Sequence, residues 1–231
     1  TQEPAGQLED VLPAYLMRQR WFGGRDRKIR STRFVDHMAI PFGDSEAVLA
    51  LIEVNYTEGD PEIYQIALAC LGGEEAAVFE HETEAPILAE VEYANTDQHA
   101  FLYDALWDPG LAAGLAEGIA RQRRLKGVEG TVTHRSTRHL RQVVKQHENA
   151  LETVIPNVEQ SNSSVVLRAT SGQALFMLKL FRRLEPGINP ELELSRFLTQ
   201  KAKFEHAPRY AGAIEYRTAR KATMTLAVLH D

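Results

Sequence analysis

Cysteine is nearly absent. Cys70 is the single one in 231 residues, so no intrachain disulfide framework staples the fold, and a reducing cytoplasm is the expected compartment. Long hydrophobic runs are missing too: no uncharged apolar stretch approaches the roughly eighteen residues of a membrane helix. The opening residues TQEPAGQLED are acidic and polar, without the pattern of a signal peptide. The most unusual absence is one of charge. Residues 34–120 contain eighteen Asp/Glu and not one Lys or Arg. Such a block repels nucleic acid and anionic lipid, so neither nucleic acid nor membrane is an expected partner.

What is present is ordinary in amount and uneven in placement. At 44% apolar and 25% charged residues, the chain has the composition of a globular protein. Residues 1–33 carry a net +3 and residues 121–231 carry nineteen Lys/Arg against ten Asp/Glu, a net +9. This partition suggests two units, whose opposite charges either attract each other or leave the basic one to bind phosphates.

Periodicity fills in the elements. Leu8, Val11, Leu12, Tyr15 and Leu16 predict an amphipathic helix over 8–19, which Pro13 either interrupts or opens. Trp21-Phe22-Gly23-Gly24 ends it. Runs rich in β-branched and aromatic residues at 33–40, 47–56, 62–70, 76–80, 86–92 and 99–103 predict an antiparallel sheet with that helix against it. Residues 104–126 read as helical, finishing on Arg121-Gln122-Arg123-Arg124. Gly110, Gly114 and Gly118 share one helical face there, for close packing or as a loose connector. Residues 131–147 are polar and His/Arg-rich, with a basic patch of His134, Arg135, Arg138, His139, Arg141, Lys145 and His147 that reads as a solvated face. Strands are expected at 151–158, 163–170, 174–182 and 222–229, the middle two joined by the hairpin turn Thr170-Ser171-Gly172-Gln173. Asn189-Pro190-Glu191 opens a helix in which Asn caps, Pro suits the first position and Glu complements the dipole.

Strand, polar turn, strand, hairpin, strand with a central lysine, then a capped helix with early glutamates is the order of a protein-kinase-like small lobe. In such lobes a strand lysine binds ATP phosphates and pairs with a glutamate on the next helix. Lys179, within Phe176-Met177-Leu178-Lys179-Leu180-Phe181, is the candidate. On its own it reads first as a solvated edge lysine, and the nucleotide reading competes once Glu193 is taken as its partner, with Glu191 a rival. The turn Glu159-Gln160-Ser161-Asn162-Ser163-Ser164 lacks the glycines of G-x-G-x-x-G, yet its hydroxyl and amide groups suit phosphate oxygens. No zinc site is expected, since neither His81-Glu82 nor His147-Glu148 extends to H-E-x-x-H.

Three segments resemble the bacterial maltokinases: Arg18-Gln19-Arg20-Trp21-Phe22-Gly23-Gly24, Glu159 to Val166, and Leu178 to Asn189-Pro190, continuing to Glu193 and Arg196-Phe197-Leu198. That family phosphorylates maltose to maltose 1-phosphate with ATP, alone or fused behind a trehalose synthase. The resemblance implies an α+β fold: an antiparallel-sheet cap domain with a packed helix over 1–105, a helical connector over 106–130, and a protein-kinase-like (aminoglycoside-phosphotransferase-like) N-lobe over 131–231, cut at the hinge. It implies that Ser161, Asn162, Ser163 and Ser164 cover the phosphates, that Lys179 and Glu193 form the ATP-binding pair, and that Leu229, His230 and Asp231 begin the hinge against adenine. ATP, Mg2+ and maltose are the implied cofactors and substrate of an intact parent, and a trehalose synthase a possible partner. Two departures stand out. Arg25-Asp26-Arg27 replaces the family's Lys-Gly-Arg, and neither His-Gly-Asp (the catalytic loop) nor Asp-Phe-Glu (the metal-binding segment) occurs in the chain, so the chain alone is expected to be inactive. The rival expectation is a non-catalytic interaction or regulatory module in which Lys179 and Glu193 form a structural ion pair.

Overall fold

The computed structural model describes residues 4–43, 45–72, 87–92, 99–147, 151–154 and 162–231. Helix α1 (Pro4–Arg18) runs straight through Pro13 instead of stopping or starting there. Proline has no N–H for the carbonyl four residues back. That carbonyl, on Glu9, instead accepts from the Thr32 hydroxyl at 2.5 Å, while Leu12, Tyr15 and Leu16 of the helix are buried.

Five strands follow: β1 (Ile29–Phe42), β2 (Ser45–Tyr56), β3 (Glu62–Gly72), β4 (Ile87–Glu92) and β5 (His99–Asp104). They form an antiparallel sheet in the order β1-β2-β3-β5-β4. Strand β2 is a near-continuous apolar run because both of its faces are covered. Ala50, Ile52 and Val54 pack under α1 with Trp21 and Phe22, whereas Leu49 and Leu51 face the second half of the molecule.

Between the halves lie a 3-10 turn (Ala105–Trp107) and helix α2 (Pro109–Ala120), capped by the Asp108 carboxylate on the Gly110 N–H. The helical reading of 104–126 is corrected here: α2 ends at Ala120 and Arg124–Lys126 is strand β6. Leu111, Leu115 and Ile119 are buried, and the glycine face is a packing face. A Cβ on Gly114 would sit 2.8 Å from Phe42 Cβ, and one on Gly118 would sit 3.2 Å from His134 Nε2. Gly114→Ala is therefore expected to destabilise by about 1–2 kcal/mol, overpacking outweighing the gain in helix propensity. A urea midpoint at or above wild type would contradict this.

The second sheet contains β6, β7 (Gly130–Ser136), β8 (Leu151–Val154), β9 (Asn162–Ala169), β10 (Ala174–Phe181), β12 (Tyr210–Thr218) and β13 (Thr223–His230), in the antiparallel order β6-β7-β12-β13-β10-β9-β8. Helix α3 (Arg138–Gln146) follows β7, so the polar stretch 131–147 is a strand and a helix. Strand β11 (Arg183–Leu184) leaves this half and pairs with β3 of the first sheet. Helix α4 (Pro190–Phe197) continues into a π turn (Leu198–Ala202). The expected strand at 76–80 and the end of 151–158 lie outside the described residues. One apolar cluster includes Ile40, Leu49 and Ala67 of the first sheet, α2, and Val165, Leu178, Leu180 and Val228 of the second. The two units implied by charge thus share a core. No helix among the described residues is long and apolar enough to cross a membrane.

Candidate functional site: one strand with two committed faces

Strand β10 alternates. Phe176, Leu178 and Leu180 are buried in the shared core. Met177 and Lys179 point the other way, beside Val166 and Ser164 of β9 and His230 and Val228 of β13. The Lys179 ammonium, about a quarter exposed, donates to Glu191 Oε2 at 2.5 Å. Its partner is thus Glu191, the rival, and not Glu193. The cause is helix phase. Asn189 accepts from the Glu191 N–H at 2.9 Å and its own N–H donates to Thr225 Oγ1 at 3.0 Å. Pinned there, α4 turns Leu192 and Ser195 to the sheet, leaving Glu191 at the near edge and Glu193 exposed to solvent.

Glu191 also has a second neighbour that sequence reasoning placed only at the hinge. His230 Nε2 lies 3.4 Å from Glu191 Oε1. The ring is 6% exposed and its Nδ1 has no hydrogen-bond partner among the described residues. Burial pushes its pKa below the ordinary 6.5, outweighing the pull of Glu191. His134 is depressed likewise by burial, although its Nδ1 lies 2.9 Å from the Arg123 carbonyl. In both cases the unfolded chain takes the proton first. Stability is therefore full above about pH 6.5 and falls as pH drops through the folded-state values. Urea midpoints between pH 7.5 and 5.5 should decline, less steeply in His134→Gln; a flat wild-type profile would contradict this.

The opposite face of the same hairpin carries a different arrangement. Ser163 pairs with Leu180 and shares its side, so its hydroxyl faces away from Lys179; Asn162 and Ser164 lie on the Lys179 side, and Ser161 is outside the described residues. Of the four expected phosphate-covering side chains, Ser163 is thus separated from the lysine. Its Oγ accepts from Arg182 Nε at 2.8 Å. Arg182 is fully buried, 2.7 Å from Asp104 Oδ2 through Nη1 and with its guanidinium 4.5 Å from the Trp21 ring centroid. Asp104 additionally accepts from the Tyr15 hydroxyl at 3.2 Å and the Leu106 N–H at 3.2 Å. The Arg182 carbonyl accepts from Gln65 N–H at 2.9 Å, and the Gln65 amide donates to the Phe181 and Leu226 carbonyls at 2.8 and 2.6 Å.

One residue further on, Arg183 reaches Glu62 at 3.0 Å. Glu62 also takes Arg27 at 2.5 Å and the hydroxyls of Tyr56 and Tyr64 at 2.7 and 2.8 Å. Burial raises the Glu62 pKa, but these four groups together hold it below the usual carboxylate range. Burial and the bond to Glu62 push Tyr56 up to about 12. In the departing segment Arg25-Asp26-Arg27, Arg27 thus joins this cluster while Arg25 donates to the Gln19 carbonyl. A third joint lies at Asp36, which accepts from the Tyr216 hydroxyl at 2.8 Å and the Val128 N–H at 2.7 Å. The acidic block therefore supplies carboxylates to groups from the C-terminal half, the attraction that the charge partition allowed.

Other candidates contribute less. His134 of the basic patch is buried, while Arg138, His139, Arg141 and Lys145 are exposed on or beside α3. A concavity of about 1130 Å³ is an open apolar trough between α1, β1 and the β12–β13 turn, and Lys179 does not line it. Its Asp36 and Arg33 are already engaged, Arg33 with Glu53 at 3.1 Å.

A glucosamine kinase solved in complex with glucosamine, ADP and inorganic phosphate matches the whole chain with a TM-score of 0.52 at 12% identity. The chain spans 41% of that protein's length, and the α+β fold is kinase-like. Residues 15–108 match the family described as the maltokinase N-terminal cap domain, and the chain carries that domain.

Proposed function

We propose that this chain is the cap and nucleotide-binding lobe of an ATP-dependent sugar kinase whose intact form phosphorylates maltose to maltose 1-phosphate. The observation that carries the reading is the Lys179–Glu191 pair bridging β10 and α4. It sits on a face that also presents Ser164, Asn162 and the half-exposed Met177. A cation beside hydroxyl and amide groups fits phosphates, and Met177 and Val166 offer apolar contact to a base. In this reading Lys179 neutralises the α- and β-phosphates, Glu191 holds its ammonium in place, Ser164 and Asn162 (with Ser161) donate to phosphate oxygens, and the 229–231 segment begins the hinge. Glu193 drops out of the pair. Magnesium is not assigned to these residues: no three His, Cys, Asp or Glu side chains cluster as a metal site among the described residues.

Maltose rests on the cap domain, and glucosamine is the acceptor named for the structural relative. The test is an assay of the full-length gene product with ATP and a sugar panel. Maltose-dependent ADP release with a 1-phosphate product is expected. Preference for glucosamine would reassign the acceptor, and no transfer to any sugar would favour a non-catalytic module. The 231-residue chain alone is expected to transfer no phosphate, lacking a His-Gly-Asp loop to orient the acceptor hydroxyl. Fusion to or association with a trehalose synthase, and a cytoplasmic site of action, belong to the same proposal.

A further inference from the structure

We infer that Arg182 is a positioning residue through which the cap domain fixes the start of β9, and hence the Asn162 and Ser164 side chains that would face the nucleotide's phosphates. The nucleotide part rests on the function proposed above; the anchoring part does not. The path is short and buried. Asp104 and Trp21, both from the cap, hold the guanidinium by charge at 2.7 Å and by ring contact at 4.5 Å. Its Nε donates to Ser163 Oγ at 2.8 Å. Ser163 lies between Asn162 and Ser164, whose side chains are on the Lys179 face. Fixing Ser163 from behind therefore fixes both neighbours in front.

Strand alternation explains why an arginine occupies this place. Position 182 continues the inward series Leu178, Leu180, where an unpaired guanidinium would be severely penalised. It is tolerated because the cap offers a buried carboxylate at that point. Neither Nη1, which meets Asp104 as an ion pair, nor Nη2 has a hydrogen-bond partner among the described residues, which leaves the Nε bond to Ser163 as the directed contact of the side chain. A methionine would fill the same space but could not donate to Ser163. The directed bond is what the arginine adds. The cap signature around Trp21 and the stretch that contains Arg182 are, on this view, two halves of one device.

The test combines amide exchange on this chain with kinetics on the full-length protein. Ser163→Ala removes the acceptor with little effect on folding. The paired Arg182→Met/Asp104→Leu variant removes the donor while keeping the site apolar and filled. Exchange at Asn162–Ser164 is expected to quicken about tenfold or more in either variant, the loss of one hydrogen bond to a charged group, with β12 and β13 unchanged. Combining the variants should add nothing further. In the full-length protein the KM for ATP should rise severalfold with the KM for sugar unchanged. Unaltered exchange at Asn162–Ser164 in correctly folded variants would overturn the inference, as would additive effects of the two changes. Faster exchange with an unchanged KM for ATP would uphold the anchor and instead remove Asn162–Ser164 from the nucleotide site.

Discussion

Arg182→Ala is expected to lower the free energy of unfolding by about 3–5 kcal/mol, the usual cost of stranding one member of a buried ion pair. The Asp104 carboxylate would remain fully buried with only the Tyr15 hydroxyl and the Leu106 N–H as donors. The Trp21 ring would lose its cation, and Ser163 its donor. For a chain of this size each kcal/mol corresponds to about 2–4 °C in Tm, so a drop of about 6–20 °C should be seen by calorimetry. Asp104→Ala should match it, because the penalty lies in the orphaned partner. Replacing both by Met and Leu should recover most of the loss, since the charges repay little beyond their own desolvation. A loss below about 1 kcal/mol in the single variants would mean that water reaches the pair.

The second large effect concerns activity, with the fold left intact. In the full-length protein Lys179→Ala is expected to reduce kcat/KM by about 10²–10³, the typical cost of removing one preorganised electrostatic contact to a transition state. The side chain is a quarter exposed and fills no core volume, so Tm should move little. Glu191→Gln should cost less, because the lysine keeps its charge and loses only its restraint. Glu193→Gln should cost nothing measurable, since that carboxylate is exposed. Steady-state kinetics with ATP and maltose checks all three. Full activity in Lys179→Ala would remove the lysine from the site. Equal damage from Glu191→Gln and Glu193→Gln would deny the observed pairing its role.

What could be read from the sequence was local. The hairpin at 170–173, the Asn189 cap and the lysine at the centre of an apolar strand are each encoded within a few residues. The partner of Lys179 was not legible to one residue, because the phase of α4 depends on which side docks, and Leu192 and Ser195 decide that only in three dimensions. Strand β12 escaped notice because Gly212, Glu215 and Arg217 break its apolar rhythm, though it lies between β7 and β13 in the sheet. The extended helix expected over 104–126 took Arg121–Arg124 as a dipole-complementing end, whereas Arg124–Lys126 turns back to pair with β7. The Asp104–Arg182 joint was out of reach altogether. Its halves are distant in sequence, and nothing in either neighbourhood announces the other.

Strand β11 has a practical corollary. Arg183 and Leu184 occupy the flank of β3 at Tyr64 and Ile63, where β5 does not extend. A shorter fragment ending near residue 108 would bare that ribbon of amides together with the oily underside formed by Ile40, Leu49 and Ala67. Bare ribbon edges recruit other chains. Such a fragment should precipitate or self-associate, so the cap is not a portable cassette, and genetic shuffling that moved it would have had to carry the downstream lobe along.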